Sequence, residues 1–148
     1  MTDEKIERPG NPPSGSLGDP AGILKQYRTI AVVGLSANTE KPAHYVPRYL
    51  KDQGYRIIPV NPTAEGEILG EKVYAGLREI PQPVDMVIIF RPSKDVPPIV
   101  DDAIAVGAKA VWMQEGIVHE AAAMKARQAG LTVVMDHCAM KVLRGGRH

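Results

Sequence analysis

The chain has 148 residues, 44% of them apolar, and a formal net charge of +1. That length suits one domain with a substantial core, and the near-neutral balance offers no field for nucleic acid or an anionic membrane. The single cysteine, Cys138, excludes an internal disulfide framework and fits a reducing cytoplasm, while no apolar run approaches the roughly 20 residues that span a bilayer.

Residues 1–18 include Pro9, Gly10, Asn11, Pro12, Pro13, Ser14, Gly15 and Ser16 and lack hydrophobic periodicity. They read as a flexible tail rather than a signal peptide, leaving residues 19–148 as the domain. Asp19-Pro20 starts a short helix, with Asp as cap and Pro in the first turn; Ile23, Leu24 and Tyr27 share its buried face. Thr29 to Val33 is an apolar, β-branched run, the signature of a central parallel strand. Pro42 to Gln53 reads as a crossover helix closed by Gly54, with Pro47 either kinking it or marking its true first turn.

Arg56 to Val60 is the second strand, and Ile68 to Tyr74 a weak edge strand or loop. Leu77 and Ile80 suggest one helical turn. Val84 to Phe90 is a strongly apolar strand, after which Ser93 or Asp95 is placed to cap a helix running to about Val106. Ala110 to Gln114 is a strand, His119 to Ala129 a helix, Leu131 to Met135 the last strand, and Ala139 to Arg144 a final short helix. Trp112 and the methionines are expected in the core. Strands alternating with helices predict an α/β fold, a three-layer, doubly wound parallel sheet of Rossmann-like type.

Ligands bind such sheets beyond the carboxyl ends of the strands. Those ends are Gly34-Leu35-Ser36-Ala37-Asn38, Val60-Asn61-Pro62, Phe90-Arg91-Pro92 and Gln114-Glu115-Gly116. A strand, a glycine turn and a helix start at Lys41-Pro42 together favour phosphate, because the first helical N–H groups lack partners and the dipole attracts anions. A dinucleotide fingerprint would need further glycines after Gly34 and an acidic residue at the end of strand two, where Asn61-Pro62 stands. NAD is therefore disfavoured. A ligand with a phosphorylated adenosine ribose, such as NADP or coenzyme A, suits Lys41, Arg48, Arg91 and Lys94 better.

The segments VVGLSAN, KPAHYVPRYLKDQGY, IIPVNP, EILGEKVY, IPQPVDMVIIFRP, AIAVGAKAVWMQEGI and AGLTVVMDHC resemble the small stand-alone CoA-binding proteins. That family is similar in fold to the N-terminal domain of the succinyl-CoA synthetase α-subunit. The resemblance spans about Ile23 to Lys141 and implies a coenzyme A site. Gly34, Ser36 and Asn38 would meet the phosphates beside Lys41 and Pro42, with Leu35 in the same turn counted to the site; Val60, Asn61 and Pro62 would line the nucleotide; Phe90, Arg91 and Pro92 would hold the adenine end. Ala43 stands where the family usually has serine, and after Asp136-His137-Cys138 the chain reads Ala139-Met140-Lys141-Val142, without the arginine and acidic residue the resemblance would lead one to expect there.

No Ser-His-Asp or Cys-His set can be assembled; neighbours such as His137 and Cys138 point apart on an extended chain. The histidines at 44, 119, 137 and 148 show no metal-ligand spacing. The expectation is a cytoplasmic domain that binds coenzyme A or an acyl-CoA without catalysis of its own. The alternatives are an NADP-dependent reductase or acyl-CoA ligase component, and an interaction module with a vestigial nucleotide pocket. Protein partners, oligomeric state and the reactivity of Cys138 are left open by the sequence.

Overall fold

The computed structural model describes residues 19–145, and the tail expected over residues 1–18 lies outside them. The elements are α1 (Pro20–Gln26), β1 (Thr29–Val33), α2 (Pro42–Asp52), β2 (Arg56–Val60), β3 (Glu67–Ile68), β4 (Glu71–Lys72), β5 (Met86–Ile89), α3 (Val96–Ala105), β6 (Ala110–Met113), α4 (Glu120–Gln128), β7 (Thr132–Val134) and α5 (Ala139–Gly145). Five strands form one parallel sheet in the order β2-β1-β5-β6-β7. β3 and β4 pair antiparallel as a separate hairpin. The chain leaves β1 toward β2 and then returns to the other side at β5. The β1–β5 boundary is therefore the switch point, where a crevice opens.

Alternation along the strands divides the core in two, because successive side chains leave opposite faces of a sheet. Ile30, Val32, Met86, Ile88 and Trp112 pack with Leu24, Val46, Leu50 and Val142 of α1, α2 and α5. Ala31, Val33, Val87, Ile89, Val111 and Met113 pack with Val100, Ala103, Ala123 and Ala126 of α3 and α4. This is the three-layer, doubly wound, Rossmann-like fold the alternation of elements implies. Among the described residues no helix is long and apolar enough to cross a membrane.

Local chemistry explains most boundaries. The Asp19 carboxylate accepts from the Gly22 N–H at 3.1 Å, capping α1. His119 caps α4 through Nδ1, which accepts from the Ala122 N–H at 3.1 Å. The segment expected as edge strand or loop is a tight hairpin, turned at Leu69 and Gly70, both with positive φ. Lys51 Nζ donates to the Leu69 carbonyl.

Two expectations are corrected. Neither Ser93 nor Asp95 caps α3 with its side chain. Ser93 Oγ instead accepts from the Val118 N–H at 3.0 Å, and the Asp95 carboxylate accepts from Arg91 at 3.1 Å; a distant backbone N–H and a neighbouring cation each win over the cap. Nor are all described methionines core: Met86 and Met113 are fully buried, but Met124 is exposed on α4.

Pro47 stays inside α2. It has no N–H to give the Ala43 carbonyl four residues back, and that carbonyl accepts from the Ser36 N–H at 3.0 Å.

Candidate functional site

The carboxyl ends of the strands carry two clefts with a shared wall. The smaller, about 360 Å³, is lined by Val33, Gly34, Val60, Asn61, Pro62, Thr63, Gly76, Leu77, Arg91, Asp95, Pro98, Ile99 and Asp102, among others. The larger, about 670 Å³, is lined by Lys41, Pro42, Ala43, Tyr45, Val46, Phe90, Arg91, Pro92, Gln114, Glu115, Ile117, Cys138, Met140 and Lys141. Arg91 borders both. The expected site residues are thus brought to one edge of the sheet but divided. Gly34, Val60, Asn61 and Pro62 face the smaller cleft; Lys41, Pro42, Phe90 and Pro92 face the larger.

Gly34 sits at φ +94, and a Cβ there would lie 2.7 Å from the Phe90 carbonyl oxygen. The end of β5 therefore demands glycine for packing alone, before any ligand is considered. Leu35 is fully buried in the core, so its side chain offers nothing to either cleft.

The glycine turn is tied from several sides. Ser36 N–H goes to Ala43, and His44 Nδ1, buried, lies 2.7 Å from the Ser36 carbonyl. Ser36 Oγ accepts from the Asn38 N–H at 3.0 Å, and Asn38 Oδ1 from the Glu40 N–H at 3.0 Å. Asn61 Nδ2 donates to the Leu35 carbonyl at 3.0 Å, while its Oδ1 accepts from both the N–H and the hydroxyl of Thr63. Ser36, Asn38 and Asn61 thus spend those groups on shaping the turn. At the start of α2 the His44 and Tyr45 N–H groups both bond the Lys41 carbonyl, which leaves fewer free donors than the sequence implies. Among the described residues the exposed Ala37 N–H and the Lys41 ammonium have no hydrogen-bond or ion-pair partner, and these remain for an anion.

The larger cleft owes its far wall to the last helix. Gln114, 4% exposed, accepts the Ala139 N–H on Oε1 at 2.9 Å. Asp136, at φ +61, accepts the Gly116 N–H at 2.7 Å, and Trp112 Nε1 donates to the His137 carbonyl at 2.8 Å. Lys141 Nζ reaches Glu115 at 3.0 and 3.3 Å. That hydrogen bond, with the charge of Glu115, raises the Lys141 pKa, and Cys138 and Tyr45 add to it. His137 and Cys138 do face apart: His137 is exposed with Nδ1 near the Met135 carbonyl, whereas Cys138 is buried against the cleft.

Tyr45, Ile117, Met140 and Lys141 were absent from the sequence-level candidates, as were Thr63, Pro98 and Ile99 in the smaller cleft. Tyr45 and Ile117 lie in the segments KPAHYVPRYLKDQGY and AIAVGAKAVWMQEGI, but no residue type or spacing singles them out. Pro47 was the one local signal, because a helix-interior proline frees a carbonyl for another donor.

Comparison with known proteins bears on the ligand. The family described as a CoA binding domain matches residues 28–144. The uncharacterized protein YneT of Bacillus subtilis (strain 168) is 41% identical over 116 residues, covering 78% of this chain and 85% of that one. Acetate–CoA ligase [ADP-forming] II of Archaeoglobus fulgidus is 38% identical over 96 residues, but the match spans 63% of this chain and only 14% of the ligase. A solved structure of a Thermus thermophilus protein superposes with a TM-score of 0.80 at 40% identity, covering 83% of this chain and 92% of that one.

Proposed function

The chain belongs to the CoA-binding domain family, and from that premise we propose that it binds coenzyme A across both clefts, in the cytoplasm and without chemistry of its own. The observation that carries this reading is the pair of clefts that share Arg91 at the carboxyl end of β5, beside the β1–β5 switch point. A pyrophosphate at that junction meets the Ala37 N–H, Lys41 and Arg91. The adenosine takes the smaller cleft between Pro62 and the Pro98-Ile99 start of α3. Prolines at 97 and 98 remove N–H donors there, so that end of α3 suits a flat base better than a phosphate. The pantetheine arm, largely apolar, takes the larger cleft. In this arrangement Phe90 and Pro92 contact the arm rather than the adenine.

The test is a thermal melt of the full chain with coenzyme A, dephospho-coenzyme A or NAD at equal concentration. Only a ligand that prefers the folded state raises Tm. Coenzyme A should raise it most; an equal or larger shift with NAD overturns the assignment. The likeness to part of an acetate–CoA ligase favours one second reading, in which the chain supplies the nucleotide site to a ligase partner. Thioester formation on adding that partner would support it.

A further inference from the structure

The larger cleft has more room than the arm of coenzyme A fills. Resting on the reading above, adenosine occupies about 360 Å³. Pantetheine carries about as many non-hydrogen atoms as adenosine, yet the cleft that takes it, with the pyrophosphate at its Lys41 and Arg91 end, measures about 670 Å³. Among the residues lining this cleft, Val46, Ile117 and Met140 present hydrocarbon or thioether and Tyr45 a ring.

One polar group in this wall is unspent. Gln114 is 4% exposed, and its Oε1 is fixed by the Ala139 N–H. That bond orients the amide, and among the described residues its Nε2 has no acceptor. A buried donor left without an acceptor costs free energy, which a ligand carbonyl recovers. Lys141 and Glu115 are paired with each other, and the cleft's other cations, Lys41 and Arg91, are taken by the pyrophosphate in the reading above, so a carboxylate on the acyl chain finds no cation to itself.

We propose that the larger cleft is built for an acyl thioester of coenzyme A with an unbranched, uncharged aliphatic chain. Gln114 Nε2 donates to the thioester carbonyl. Tyr45, Val46, Ile117 and Met140 cover the chain.

The experiment is calorimetric titration of the full-length protein with coenzyme A and its acetyl, butyryl, hexanoyl and succinyl thioesters. Affinity should climb along the uncharged series by up to about fourfold per buried methylene, and succinyl-CoA should bind more weakly than butyryl-CoA. Met140→Trp should cost hexanoyl-CoA at least about tenfold more than it costs coenzyme A, as an overfilled apolar pocket does. Gln114→Glu keeps the acceptor for Ala139 but loses the donor, and should erase the preference for thioester over thiol. If coenzyme A binds while every thioester binds equally or less well, the acyl pocket is overturned and the coenzyme A site stands. If neither coenzyme A nor any thioester binds, the site reading itself fails, and this proposal with it.

Discussion

The Ser36 N–H donates to the Ala43 carbonyl at 3.0 Å, and it can do so because Pro47, four residues further on, has no N–H to claim that acceptor. A residue that looks like a defect in α2 thereby anchors the loop that follows β1. His44 holds the same residue from the other side, at the Ser36 carbonyl. The turn is shaped before any ligand arrives, so less ordering entropy is lost on binding.

Pro47→Ala restores a donor that competes for the Ala43 carbonyl. Unfolding free energy should change by less than about 1.5 kcal/mol, since the regained helix bond offsets lost packing of the buried ring. Coenzyme A affinity should fall several-fold as the turn loosens. Calorimetry and urea unfolding on the same variant give both numbers. Unchanged affinity would mean that the carbonyl serves both donors.

Gly34→Ala should lose about 2–4 kcal/mol of stability, combining the left-handed backbone penalty with displacement of the end of β5. The clash is with the Phe90 carbonyl oxygen, 2.7 Å from the added Cβ, and backbone cannot swing aside. Urea unfolding measures it. A variant as stable as the parent would show that β5 moves to accommodate the methyl group.

Arg91 borders both clefts and, half exposed, pairs with Asp95 at 3.1 Å. Arg91→Ala should weaken coenzyme A by about 1.5–3 kcal/mol, the scale of a hydrogen bond to a charged group. Measuring dephospho-coenzyme A on both proteins completes a double cycle. A smaller loss for that ligand assigns Arg91 to the ribose phosphate; equal losses assign it to the pyrophosphate.

Stability should decline at high pH through two tyrosines under α1. Burial raises the pKa of Tyr27, with Asp85 adding to the effect. Burial also raises that of Tyr55, against a lowering by Arg28; the Tyr55 hydroxyl donates to the Leu24 carbonyl. A folded-state pKa above the unfolded one favours the protonated native form. The contribution is therefore complete below about pH 10, the ordinary tyrosine value, and is lost as pH rises through the folded-state values. Melting temperatures across pH 9–11 should fall more for the parent than for Tyr55→Phe, and parallel curves would remove Tyr55 from the account.

The order of strands and helices, the short cap at Asp19 and the position of the glycine turn were all present in the sequence. Each depends on periodicity or on residues a few positions apart, and burial on both faces leaves an unmistakable run such as Val87-Ile88-Ile89. Only the tertiary structure decided how the site is divided and who walls it. Asn61 reaches Leu35, Ser93 reaches Val118, Gln114 reaches Ala139 and Glu115 reaches Lys141 across 25 or more residues. The partners of Gln114 and Glu115 are set when α5 packs against α1 and α2, those of Asn61 and Ser93 when the strand-end loops come together, and a side chain that looks free in the sequence, such as Ser36 or Asn61, can be satisfied inside the fold. Pairing at such a distance follows from packing geometry, which local pattern does not encode.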